Sequence, residues 1–203
     1  MAEPSATPGP PGTVPVREVV PDDAPAIAAV HVVSWQKGQA GLRSAVFLAG
    51  LSVEDRARHW AVTIDATSRD HLVVVEVEVG GGVAGFAHVG PSRDEYAGPA
   101  TGELYTLDVT PHAWGGWGIG RALHYGALEL LAADGCAAAT PWYLGTNRRA
   151  RTFHERKGWS QIAGVRTQES GDRDYRLPTG ATPDVPVTAD LTGAGQILER
   201  PSQ

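Results

Sequence analysis

The residues best suited to chemistry in this chain lie on or beside one run, Leu107 to Arg121, which reads L-D-V-T-P-H-A-W-G-G-W-G-I-G-R. Four glycines in six residues (Gly115, Gly116, Gly118, Gly120) follow a strand-like segment and precede a helix-like one. Such a junction binds anions: glycine lets a ligand approach the backbone, and N–H groups without intrahelical partners point outward at the positive end of the helix dipole. A phosphorylated ligand is the expected guest. Two titratable side chains are candidates to act with it, one just before the run and one well beyond it. Glu103 sits on the strand, where simple alternation puts it in phase with Tyr105, Leu107 and Val109. His154 carries the one side-chain type whose ordinary pKa, about 6.5, allows proton exchange near neutrality. Each has an ordinary alternative: a carboxylate at a wet strand end, and a histidine satisfied inside the core.

A dinucleotide fingerprint does not fit the glycines. Counted from Gly118, it requires glycine or alanine at the position of Leu123, and a carboxylate about 20 residues on, where Ala137, Ala138 and Ala139 stand. No G-K-[ST] follows, so the turn is no P-loop. The histidines and the single cysteine show no metal-like spacing, and no metal is expected.

The elements that must position these residues follow from periodicity. A strand is expected over residues 14–20. A helix capped by Pro21-Asp22-Asp23 follows, facing inward through Ile27, Val30 and Val33 and ending near Trp35. Beyond a glycine-spaced link, Ser52 starts a second helix with Val53, Ala57, Trp60, Ala61 and Ile64 on one stripe. Residues 71–79 and 83–89 read as a hairpin around Gly80-Gly81-Gly82, and 90–100 as a polar loop. After the central strand, Ile119, Leu123, Ala127, Leu130 and Leu131 mark a helix that Gly135 stops. A strand over 137–145, a helix from Asn147 to Lys157, and an antiparallel pair over 159–168 and 173–177 complete a mixed sheet with helices on its faces.

With 203 residues, 42% hydrophobic and 20% charged, one domain is expected over 16–177. Residues 1–15, with five prolines and one charge, and 178–203, with four prolines, read as flexible tails. The net charge of −6 argues against nucleic acid or an anionic membrane as partner, and no apolar run is long enough to span a bilayer. Cys136 is alone, so no intrachain disulfide forms and a reducing, cytoplasmic setting fits.

The run E-L-Y-T-L-D-V-T-P, followed by W-G-x-x-G-I-G-R-A-L, resembles the acetyl-CoA-binding motif of GNAT superfamily N-acetyltransferases. Asn147 to Trp159, N-R-R-A-R-T-F-H-E-R-K-G-W, is similar to that family's N-x-x-A-x-x-F-Y-E-x-x-G-F segment, and H-V-V-S-W-Q…L-S-V-E-D-R-A-R-H-W is similar to bacterial members. The resemblance covers essentially all of 16–177. It implies an α/β (α+β mixed) fold: a mostly antiparallel sheet, splayed at the cofactor site, with helices on both faces. Acetyl-CoA is then the co-substrate and a small-molecule or peptide amine the acceptor; a homodimer is left open.

By the same resemblance, the cofactor-binding residues are Leu107, Val109, Trp114, Gly115, Gly116, Trp117, Gly118, Ile119, Gly120, Arg121 and Ala122, with Asn147, Ala150 and Phe153 in the second block. A backbone N–H near Val109 would meet the oxyanion, Glu103 matches a general-base position, and His154 stands where the family often has a tyrosine acid. Trp35, Tyr105 and Trp142 are expected to line the acceptor side by location alone. The turn departs from the family's pattern: either Gly115 replaces its basic or amide residue, or Trp114 takes that place and the turn holds one extra residue. Five basic side chains on the 147–157 helix face either solvent or the phosphates of CoA. An acyl-CoA-binding regulatory module without turnover is the alternative from a different class.

Overall fold

The computed structural model describes residues 14–66, 70–77, 82–94, 97–115, 118–144, 146–161 and 184–190. Seven strands form one sheet: β1 (Arg17–Glu18), β2 (His71–Val77), β3 (Gly82–Pro91), β4 (Thr101–Val109), β5 (Ala138–Leu144), β6 (Ser160–Gln161) and β7 (Asp184–Asp190). Their order is β1-β2-β3-β4-β5-β7-β6, antiparallel at every joint except β4 with β5. Among the described residues five α-helices accompany them: α1 (Ala24–Gly38), α2 (Ala45–Ala49), α3 (Val53–Asp65), α4 (Ile119–Ala133) and α5 (Arg148–Glu155). The parallel joint requires a crossover, and α4 supplies it.

Helices cover both faces. On one, Ile119, Leu123, Ala127 and Leu131 of α4 pack on Ala87, Val89, Leu104 and Val109. Gly85 permits this approach, since a Cβ there would meet Leu123 Cδ1 at 2.9 Å and the Asp108 carbonyl at 2.8 Å. On the other face, Ile27, Ala28 and Val30 of α1 and Trp60 of α3 close over Phe86. The inward stripe of α1 differs from expectation at Val33, which is exposed; the helix instead buries His31, Val32 and Ser34, because it lies between α3 and the sheet.

Two element expectations need correction, and a third falls outside the described residues. The link after α1 contains a short helix, α2, capped by Ser44 Oγ accepting from the Phe47 N–H at 3.2 Å. Residues 184–190, expected in a tail, form β7, which pairs with β5 along Ala138–Leu144. Pro186 is compatible with a strand there because β6 pairs only with Thr188 and Val187, leaving the proline outside that ladder. The expected strand at 173–177 lies outside the described residues, and the partner of β6 is β7.

The joint between β4 and β5 is short and then opens. Pairing runs from Thr101–Ala138 to Leu104–Pro141. Pro141 has no N–H to continue the ladder. On the other side of β4, His88 pairs with Thr106 and Val89 with Leu104, so Tyr105 is an inserted residue. A bulge bends its strand and increases its twist. A missing donor and a bulge at the same level separate the ends of the two strands.

Candidate active site

The opening between β4 and β5 belongs to a cavity of about 640 Å³. Its walls come from the second half of β4, the end of β5, the glycine turn with the first turn of α4, the α5 helix, and the C-terminal end of α1.

The floor is the backbone of β4. Thr110 donates its N–H to the Ala84 carbonyl of β3 at 2.8 Å. Because successive groups along a strand alternate edges, the N–H and C=O of Val109 point the other way, into the opening. Trp114 Nε1 donates to that Val109 carbonyl at 2.7 Å. The indole thereby satisfies the acceptor, and the Val109 N–H is directed at the space beside it.

The glycine turn forms the anion-binding wall. Gly118 is the N-cap of α4 at φ +73°, a conformation that side chains with a Cβ rarely adopt. The first helical bond runs from the Ala122 N–H to the Gly118 carbonyl at 2.9 Å, so the N–H groups of Ile119, Gly120 and Arg121 have no acceptor within the helix. The first turn carries no acidic residue. Across the turn, Asn147 Oδ1 caps α5 by accepting from the Ala150 N–H at 3.0 Å. Arg149 then lies with Cζ 3.3 Å from the centre of the Trp114 ring. Of the five basic side chains on this segment, Arg149 lines the cavity, whereas Arg151 pairs with Glu155 on the outer face at 2.8 Å.

His154 lies in the wall opposite the turn. Its ring is stacked on Tyr143 of β5 at 5.8 Å and 10°, and meets Trp159 edge-on. Trp159 Nε1 in turn donates to His124 Nε2 of α4 at 2.6 Å, tying the end of α5 to α4. Burial holds His154 down to about 4, and its Nδ1 has no hydrogen-bond partner among the described residues. It is therefore an uncharged ring over the physiological range. The expectation of an imidazolium poised near 6.5 is corrected accordingly.

Glu103 is also corrected. It does not line the cavity, and it is 1% exposed. Its Oε2 accepts the Arg93 backbone N–H at 2.8 Å and its Oε1 the Arg93 guanidinium at 2.6 Å. The Tyr105 bulge also breaks the phase read from the sequence. Through β3, Glu103 pairs with Gly90, Thr106 with His88 and Leu107 with Ala87. Glu103 thus shares a face with Thr106, opposite Leu107.

The other expected residues divide as follows. Leu107, Val109, Trp114, Gly115, Gly118, Ile119, Gly120 and Arg121 line the cavity, as do Asn147, Ala150 and Phe153 of the second block. Ala122 does not line it, and Gly116 and Trp117 lie outside the described residues. Trp35, Tyr105 and Trp142 are all in the wall. The Tyr105 hydroxyl, however, donates to the Pro91 carbonyl at 2.6 Å, and burial pushes it far above the usual phenol range. Several lining residues carried no signal in the sequence: Ser34, Gln39 and Arg43 near the end of α1, Asp108 and Thr106 on β4, and Tyr143 on β5. Asp108 was hidden inside the L-D-V run, where it read as spacing between apolar residues.

Comparisons with known proteins agree with this geometry. The model of the acetyltransferase (GNAT) family matches residues 41–159. A mycothiol acetyltransferase from Beutenbergia cavernae is 44% identical over 64 residues, 32% of this chain and 21% of the relative, so the chain matches about a fifth of that protein's length. Among solved structures, a putative GNAT-family acetyltransferase from Desulfovibrio desulfuricans superposes with a TM-score of 0.60 at 22% identity, over 89% of this chain and 100% of that one. The PaiA N-acetyltransferase from Thermoplasma acidophilum, in complex with coenzyme A, gives 0.62 at 15% identity over 88% and 99%. With its family model matched across more than half its length and a mixed sheet opened between β4 and β5, the chain belongs to the acetyltransferase (GNAT) family.

Proposed function

We propose that this protein transfers the acetyl group of acetyl-CoA to a primary amine by direct attack on the thioester. The observation that carries the reading is the opening beyond Leu104–Pro141, with the Val109 N–H directed into it and the N-terminus of α4 at its end. A pantetheine arm is a strand-like chain with amide groups, and it suits the gap between two separated strands. The pyrophosphate suits the N–H groups of Ile119, Gly120 and Arg121. The coenzyme A bound to the similar T. acidophilum fold supports the same use of this cavity.

The residues then have distinct tasks. The Val109 N–H polarises the thioester carbonyl and stabilises the oxyanion that forms when nitrogen attacks, the type of contribution that is commonly the largest in acyl transfer. Arg149, over Trp114, contributes positive charge beside the phosphates. His154 and Tyr143 form a dry wall, where an uncharged imidazole offers the departing sulfur a hydrogen bond but no surplus proton. The sulfur is protonated from the nitrogen that has just formed the amide, or by water.

Acetyl-CoA mixed with the protein and a panel of primary amines is the test. Amine-dependent release of CoA thiol, with one N-acetyl product per thiol, is expected. Tight acetyl-CoA binding without thiol release from any amine would instead assign the chain a regulatory role.

A further inference from the structure

The acceptor side of the cavity contains a feature that the transfer chemistry above does not use. Asp108 lies on β4 next to Val109, and lines the cavity. Its Oδ1 accepts from Ser34 Oγ of α1 at 2.6 Å and its Oδ2 from Thr106 Oγ1 at 2.5 Å. The Trp35 side chain hydrogen-bonds it as well. Among the described residues no ion pair joins it to a cationic side chain, in contrast to Glu103, which has Arg93. One helical turn beyond Trp35, Gln39 also lines the cavity, and its buried Oε1 has no hydrogen-bond partner among the described residues. Asp108 and Gln39 thus both belong, with Arg43, to the lining of a cavity whose opposite wall is the glycine turn.

Burying a carboxylate is costly unless it is hydrogen-bonded or paired, and keeping one on a cavity wall costs stability that a ligand can offset. The donors around Asp108 hold its two oxygens in place, and burial raises its carboxyl above the usual range, which makes the carboxylate a better proton acceptor than one in water. It is also one residue away from the N–H assigned to the thioester carbonyl, so a nitrogen held by Asp108 is near the carbon it must attack.

We infer that Asp108 is the catalytic base and acceptor anchor of this site, selecting amines that arrive as ammonium ions. The inference rests on the acetyl-transfer reading and names its acceptor class: cationic alkyl amines. In the step it performs, the ammonium nitrogen gives one proton to the Asp108 carboxylate. The freed lone pair forms the C–N bond at the thioester carbon, and the C–S bond breaks with its electron pair leaving on sulfur. The second nitrogen proton goes to that thiolate, and Asp108 returns its own proton to water.

The test compares an alkyl amine, protonated at neutral pH, with an arylamine of similar size, which is already neutral there. The Asp108→Asn variant is checked for folding by its thermal shift with acetyl-CoA. Its kcat/KM for the alkyl amine should fall at least about a hundredfold, within the usual range for a positioned acid–base group, and that for the arylamine less than about fivefold. Should Asp108→Asn fail to fold, Ser34→Ala loosens the same carboxylate without removing it, and the ratio of alkyl to aryl turnover should drop severalfold. An unchanged ratio in the variant that folds, or equal losses on both amines, overturns the inference and leaves acetyl transfer standing. A wild-type protein active on arylamines alone does the same. A wild-type protein that acetylates neither class overturns both.

Discussion

Saturating acetyl-CoA should raise the melting temperature of the wild-type protein by roughly 5–10 °C, and Gly118→Val should remove about half of that rise or more. At about 100 times its Kd a ligand stabilises the folded state by roughly 2.7 kcal/mol, and each kcal/mol moves the midpoint of a chain this size by about 2–4 °C. Gly118 begins α4 at φ +73°. Valine there forfeits about 1–3 kcal/mol in backbone strain, or turns the peptide and with it the N–H groups that follow. Space is not the cause, because a Cβ at this position would have nothing closer than 3.7 Å. The loss should therefore be concentrated in ligand binding, with acetyl-CoA bound at least about tenfold more weakly, the equivalent of roughly 1.4 kcal/mol. Calorimetric titration of both proteins measures it. Equal affinities would remove the phosphates from the glycine turn.

The second large effect is on stability and concerns Glu103. Arg93→Ala leaves a carboxylate that is 1% exposed without its guanidinium partner. Breaking a buried ion pair from one side costs about 3–5 kcal/mol. The Arg93 side chain is 58% exposed and its backbone N–H bond to Glu103 survives the substitution, so about 2–3 kcal/mol is expected here. That lowers the melting temperature by roughly 4–12 °C. Glu103→Gln should likewise lower stability while leaving kcat within about twofold at temperatures where the variant is folded. A kcat loss without a stability loss would return Glu103 to the proton-transfer chemistry.

These two residues show what the sequence could and could not display. The glycine turn was legible because its chemistry is local: a strand, a break, four glycines and an amphipathic helix follow in order, and their backbone conformations need little from the rest of the chain. Asn147 was legible for the same reason, as a cap three residues before the Ala150 N–H that it accepts. Glu103 was misplaced because alternation assumes an uninterrupted strand, and the extra residue at Tyr105 shifts the phase of everything beyond it. A bulge of this kind is fixed by pairing with β3, which no local pattern encodes.

Asp108 is a tertiary feature in the same sense. One donor is local, Thr106 two positions earlier on the strand, but the other comes from Ser34, 74 positions earlier. His154 could be placed by its motif, but its titration could not, because burial by Tyr143, Phe153 and Trp159 lowers it. The β7 strand was read as tail because proline and small polar residues lower its apparent strand propensity, while its pairing with β5 is long-range.

The most direct test of acetyl transfer at this site is a single-turnover experiment with acetyl-CoA labelled in the acetyl group, at protein concentrations above the ligand. Without an acceptor, neither thiol release nor protein-bound label is expected, since in direct attack the amine is the only nucleophile that meets the thioester. On addition of a primary alkyl amine, thiol and labelled N-acetyl amine should appear together and in equal amounts. Thiol released before the amine is added, with label retained on the protein, would contradict direct attack, and label that never leaves acetyl-CoA would contradict acetyl transfer itself.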